Sequence, residues 1–219
     1  MKKLLLAVCC LFMSSAAFAQ WEIGIKISPA IATNRVVAPD EFNFEPLNAK
    51  THFGGGVIAD YFFGENYAFS TGIIYMGKGA GVKYSYTNGT TTIAGSDEFG
   101  IQYLEIPVSV KLFTNDIATD TRLYFQAGGS LDPRISAKVN GNKLDADDKK
   151  YTTHFNLMDI SALIGAGAEM QMGESTKIFG GLSYHRGLID IDDSYEERFD
   201  NKNIEIKSTY VALDLGLKF

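Results

Sequence analysis

The sequence predicts an all-β fold, an eight-stranded antiparallel up-and-down transmembrane β-barrel. Three observations carry this. Apolar and polar residues alternate with period two along the chain beyond residue 20, as in strands with two unlike faces. No apolar run in that region approaches the ~20 residues of a spanning helix. The connections are alternately long and short, so four long loops share one end and three short turns the other. Outer-membrane barrels sort their surface loops and periplasmic turns in this way.

The first element is a leader. Lys2 and Lys3 precede an apolar run and the small-residue triplet Ala17-Phe18-Ala19, which reads as a secretory signal peptide over 1–19 with the barrel domain over 20–219. Cleavage there removes Cys9 and Cys10, leaving no thiol for a disulfide or a metal. Among the 219 residues, 22 glycines, 15 Phe and 11 Tyr favour strands over helices. The net charge of −6 excludes a phosphate-binding surface of the nucleic-acid kind.

Strands are expected near 21–31, 53–63, 67–78, 103–113, 123–134, 158–172, 177–188 and 209–219. In the last, Thr209, Val211, Leu213, Leu215, Leu217 and Phe219 share one face, and Tyr210, Ala212, Asp214, Gly216 and Lys218 the other. The fourth sets Leu104, Ile106, Val108, Val110 and Leu112 against Tyr103, Glu105, Ser109 and Lys111. A soluble lipocalin-type barrel also alternates, but turns its apolar face inward. Volume decides between the two. The polar face here is rich in glycine (Gly24, Gly54, Gly56, Gly72, Gly128, Gly165, Gly167, Gly181, Gly216), and an eight-stranded lumen is only wide enough to be filled by side chains. The polar face therefore belongs inside and the bulky apolar face in lipid. Trp21, Tyr61, Phe63, Tyr67, Phe69 and Phe219 fall on the apolar face near the short turns, and Tyr75 and Tyr184 near the other end, as membrane girdles.

One turn is explicit. Asn88-Gly89 reads as the centre of a two-residue type I′ hairpin above the membrane, which pairs Thr87 with Thr90 and, continued down the wall, Phe69 with Val108. A bulge near Gly77, Gly79 and Gly81 would alter that register.

The stretch Tyr103-Leu104-Glu105-Ile106-Pro107-Val108-Ser109-Val110-Lys111-Leu112-Phe113 resembles the central strand of the PorT-like outer-membrane β-barrel proteins of Bacteroidetes. Leu213-Asp214-Leu215-Gly216-Leu217-Lys218-Phe219 is similar to their C-terminal strand. The resemblance implies residence in the cell outer membrane and insertion by the barrel-assembly machinery. It also implies a possible accessory role in type IX secretion.

The lumen is expected to hold Glu22, Asp60, Glu105, Asp132, Asp159, Glu169 and Asp214 against Lys26, Lys78, Lys111, Arg134, Lys177 and Lys218. Buried charges need partners, so these read as an ion-pair network that plugs the barrel. Ser183 and His185 share that face, but two positions along a strand are about 7 Å apart, and no nucleophile elbow is present. An enzyme is not expected; a lipid-modifying one is the remote alternative. His52 and His154 read as isolated groups at loop bases. The acidic run Asp190, Asp192, Asp193, Glu196, Glu197 and Asp200 lacks the spacing of a calcium loop and reads as solvated surface. Neither a metal nor a cofactor is expected. The function that follows is structural or binding, through four long loops that meet membrane lipid, lipopolysaccharide or a surface partner.

Overall fold

The computed structural model describes residues 20–88, 90–145, 148–192 and 194–219. The leader read over 1–19 lies outside the described residues. Ten β segments follow one another: β1 (Trp21–Val37), β2 (Glu45–Pro46), β3 (Lys50–Gly64), β4 (Tyr67–Lys78), β5 (Gly81–Asn88), β6 (Thr91–Phe113), β7 (Thr121–Val139), β8 (Met158–Gln171), β9 (Lys177–Gly187) and β10 (Glu205–Lys218). Eight of them close a ring in the order β6-β4-β3-β1-β10-β9-β8-β7, with β7 returning to β6. Every pairing is antiparallel. First and last strands meet, Gly24 opposite Lys218, and Phe219 exchanges backbone hydrogen bonds with Ile23. A closed wall has no edge, so the backbone is paired all round, as hydrocarbon demands.

Alternation sets the two faces. On β6 the inward set Ile101, Tyr103, Glu105, Ser109, Lys111 and Phe113 is buried, while Val108, Val110 and Leu112 are exposed. The glycines make room for this inward set. At Gly216 a side chain would strike the Phe179 ring and the Ile25 carbonyl, and at Gly167 and Gly181 it would meet the Tyr124 hydroxyl. Large lumenal rings thus sit opposite missing side chains.

Several strands run well past the expected ends, β1 to Val37 and β7 to Val139, and β6 begins at Thr91. Their upper parts stand above the lipid-facing band. The hairpin β5–β6 exists, but its register differs from that read from Asn88-Gly89. Asn88 pairs with Thr91 and Thr87 with Thr92, where the expected turn would pair Thr87 with Thr90; Gly89 itself lies outside the described residues. Down the wall Phe69 faces Val110, and Val108 faces Thr71. The displacement is two residues, which preserves both faces. Its reason is packing: Tyr84 lies across from Gly95, where a Cβ would collide with the tyrosine ring, whereas the turn-derived register would set it against Ile93. Gly79 (φ 101°) and Gly81 (φ 139°) redirect the chain between β4 and β5. Lys78 facing Ile101 and Gly81 facing Glu98 keep one register across that break, so no bulge forms there.

Candidate functional site

Two interiors lie one above the other. In the barrel, charged groups converge in layers. Near the short turns Asp60 receives Lys111 at 2.9 Å, Lys218 at 2.7 Å and the Ser70 hydroxyl. Lys218 also reaches Glu169 at 2.6 Å, which Arg122 engages at 2.7 Å, and Lys177 pairs with Glu22. The rings of Phe113 and Phe179 flank these cations, with Arg122 4.0 Å from the Phe113 centroid. Midway, Asp214 accepts from Ser28 at 2.6 Å and pairs with Lys26 at 3.1 Å. Higher up, Lys78 sits among Asp132 (2.6 Å), Glu105 (3.6 Å) and Asp159 (3.8 Å), between the rings of Tyr103 and Tyr210. A cavity in the lumen, beside Glu105, Lys111, Tyr124 and His185, measures about 20 Å³, room for a single water.

Arg134 stands apart from these layers. Its guanidinium donates to the backbone carbonyls of Thr152 and Phe155, tying down the loop between β7 and β8. Arg134 lies directly opposite the inward-facing Tyr103, next to the β6–β7 register shift between Gln102 and Tyr103, so it keeps the lumenal side and reaches upward to the loop.

Ser183 and His185 are closer than strand spacing suggests. The imidazole folds along the strand, with Nε2 at 3.2 Å from the Ser183 oxygen. Its other nitrogen is 2.7 Å from the Tyr210 hydroxyl, which donates to Glu105, and the two rings stack at 4.1 Å. A hydroxyl beside an oriented imidazole is the geometry of an activated nucleophile. Here both residues are buried in the filled lumen, away from the lipid side.

Above the barrel, all four long connections fold together. Phe42 and Phe44 from the first, Val82, Tyr84 and Phe99 from the second, Val139, Tyr151 and Phe155 from the third, and Ile191, Tyr195, Phe199 and Ile204 from the fourth form one hydrophobic cluster. Phe44 lies edge-on to Tyr195 at 5.6 Å and Phe99 to Phe155 at 5.4 Å. Polar groups lock the cluster from its rim: Tyr195 donates to Asp97 at 2.7 Å, and Asn140 holds the Glu98 backbone at 2.9 Å.

Part of the acidic run is structural, not solvated. Asp190 accepts the Ile206 amide at 2.8 Å, and Asp192 is buried and accepts the Ser194 amide at 2.7 Å. Burial pushes the Asp192 carboxyl up to about 7, with the Asp190 charge adding to it and the Ser194 hydrogen bonds opposing. Burial and the adjacent Asp97 also raise the Tyr195 phenol. Asp193 lies outside the described residues. The histidines at the loop bases have partners: His52 meets the Gly79 carbonyl at 2.6 Å and His154 meets Asp145 at 3.0 Å. Among the described residues no group of three or more His, Cys, Asp or Glu is arranged to hold a metal.

The expected girdle residues stand on the outer wall. Trp21, Phe63, Tyr67, Phe69 and Phe219 are exposed there, with Tyr61 against Trp21 at 5.1 Å between ring centroids, and Tyr75 and Tyr184 are exposed toward the other end. The aromatic cluster above the barrel has no counterpart in the sequence reading. Its signal was available, because Phe42, Phe44, Tyr84, Tyr86, Tyr151, Phe155, Tyr195 and Phe199 are too many rings for solvated loops.

Comparison with known proteins agrees with this architecture. Among solved structures, Neisserial surface protein A is 13% identical, covers 91% of this chain and 97% of its own, and superposes with a TM-score of 0.53. The outer membrane protein OprG from Pseudomonas aeruginosa is 9% identical, covers 90% and 95%, and gives 0.51. These likenesses speak for the fold. No curated protein matches the sequence. The family model of the outer membrane protein beta-barrel domain matches residues 15–193. The chain therefore belongs to that family and is an integral β-barrel of the cell outer membrane.

Proposed function

We propose that the protein is a closed, non-conducting barrel whose function is binding at the cell surface through a preformed cap. The observation that carries this reading is the convergence of all four loops on one aromatic core. Loops that are already packed lose little conformational freedom on meeting a partner, so their surface is suited to recognition. A cleft of about 750 Å³ opens on this cap, lined by Asp97, Phe99, Tyr151, His154, Tyr195 and Arg198. That volume falls within the range of small-molecule and side-chain pockets. The filled lumen and its ~20 Å³ cavity support the plugged state and weigh against the Ser183–His185 pair acting on lipid. On this reading residues 1–19 are removed as a signal peptide. The barrel-assembly machinery inserts the mature chain, and neither metal nor cofactor takes part.

The test has two parts. Purified protein in planar bilayers should show no sustained conductance, and steady channels would sink the plugged state. Replacing the four loops by short turns should abolish the knockout phenotype rescued by the wild type while the barrel still inserts. If the knockout instead traps type IX cargo in the periplasm, the secretion-accessory role implied by the PorT-like resemblance replaces this one. Altered lipid A in the knockout would favour the enzyme.

A further inference from the structure

The outer wall carries a cation cluster on β1, β10 and β9. Ile31, Val211 and Tyr184 form one outward row across these strands, Ile31 opposite Val211 and Val211 opposite Tyr184. The next outward row upward is Thr33, Thr209 and Arg186, and the row above it brings Arg35 directly opposite Lys207. Their neighbours Asn34, His185, Ile206 and Ser208 are buried, which fixes the charged set on the outside. Arg35 reaches across β10 and donates to the Gly187 carbonyl at 3.1 Å, next in sequence to Arg186. Glu205, 2.6 Å from Lys207, offsets only one of the three charges. This excess of positive charge lies on a chain whose net charge is −6.

Like charges placed directly opposite on adjacent strands repel, so an anion between Arg35 and Lys207 would relieve a cost built into the wall. Rows two residues apart are ~7 Å along a strand tilted by ~45°, which sets these cations within about 10 Å of the apolar edge, at headgroup depth. Immediately below them lies an apolar groove of about 470 Å³ on the lipid side, lined by Phe125, Ile164, Ala166, Leu182, Tyr184 and Val211. Tyr184 and Val211 belong to both the groove and the row beneath the cations.

We infer that Arg35, Arg186 and Lys207 bind the phosphoryl headgroup of an outer-leaflet lipid whose acyl chain lies in the groove beneath. Two guanidinium groups and an ammonium supply charge-assisted donors, and guanidinium matches phosphate oxygens two at a time. The hydroxyls of Thr33 and Thr209 supply neutral donors on the row below. The site belongs to the barrel wall and is independent of whatever the cap binds.

The experiment uses the full mature barrel folded in detergent micelles, with retained lipid read by native mass spectrometry. Phosphorylated lipid A is the probe and its dephosphorylated form the control. The phosphorylated form should bind at least about tenfold more tightly, with a preference that weakens as salt is added. The triple variant Arg35→Gln, Arg186→Gln, Lys207→Gln should lose that preference while keeping heat-modifiable gel migration. Leu182→Trp, which fills the groove, should weaken both lipids alike. If the triple variant fails to fold, Arg186→Gln alone should reduce the preference severalfold. Equal binding of the two lipids, an unaffected variant, or displacement by inorganic phosphate at the same concentrations as the lipid would overturn the assignment.

Discussion

The barrel lumen and the cap above it are both closely packed interiors, yet they cohere by opposite chemistry. In the lumen Asp60, Lys111, Lys218 and Glu169 meet through ion pairs of 2.6–2.9 Å. In the cap Phe44, Tyr84, Phe99, Tyr195 and Phe199 meet through ring edges. The difference follows from what lies outside each. The barrel's outward residues face lipid and must be apolar, so the polar half of each strand is left for the inside, where every charge needs a partner. The cap stands in water. It coheres as a small soluble domain does, by burying apolar surface and leaving charge at the rim.

The largest expected effect is therefore a broken lumenal pair. Asp60→Ala removes the partner of the Lys111 ammonium and leaves Lys218 beside it with only Glu169 and Glu22 as counter-charges. Stranding a buried charge costs ~3–5 kcal/mol. The urea midpoint for loss of the folded gel species should fall accordingly, while protease sensitivity of the cap in the folded species stays as in the wild type. If the cap opens as well, the two interiors are one cooperative unit.

Next comes the cap's own core. Phe155→Ala removes a ring that is 4% exposed and lies edge-on to Phe99, at a cost of about 3 kcal/mol. Here the pattern reverses: loop cleavage should accelerate and gel migration of the barrel should hold. A fall in the barrel's urea midpoint as large as that of Asp60→Ala would remove the distinction.

The sequence made these two regions unequally legible. Strand parity reveals the lumen because each wall residue has only two directions, and Leu104 to Phe113 or Thr209 to Phe219 assign inside and outside without tertiary knowledge. The cap has no such periodicity. Phe42, Tyr84, Phe155 and Tyr195 come from four connections and meet only in three dimensions. The same limit explains the smaller departures. Arg134 keeps the face of Tyr103 but bonds loop carbonyls instead of a carboxylate, and the fit of Tyr84 against Gly95 outweighed the local Asn-Gly signal. The contact between His185 and Ser183 depends on a side-chain rotation that strand spacing does not encode.

Asp192 distinguishes the interiors by pH. Its carboxyl is 2% exposed in the cap and is held up at about 7, against 3.8 when the chain is open. Between these values the closed cap binds the proton more tightly than the open one. The contribution is present at the acid side, is lost as pH rises through about 7, and stays lost above it. Between about pH 5 and about pH 8, protease cleavage of the loops should increase, equivalent to ~2–3 kcal/mol of cap stability. Asp192→Asn should flatten that profile, and an unchanged profile would place the titrating group elsewhere.

The smallest effect comes from an ion pair that looks as good as any in the lumen. Lys50 and Glu98 approach to 2.5 Å at the base of the cap, closer than Lys111 and Asp60 at 2.9 Å. Their side chains are 37% and 55% exposed, whereas those of the lumenal pair are 6% and 0%. Water screens the first pair and replaces it when broken, and nothing replaces the second. Glu98→Gln should therefore change cap opening, followed by amide hydrogen exchange, by only ~0–1 kcal/mol, and added salt should erase the difference. The Asp60→Ala loss should persist in the same salt, since Asp60 and Lys218 are buried from solvent. Equal salt sensitivity of the two variants would mean that bulk solvent reaches the Asp60 pairs, and the contrast between a buried ionic interior and an exposed ionic rim would fail with it.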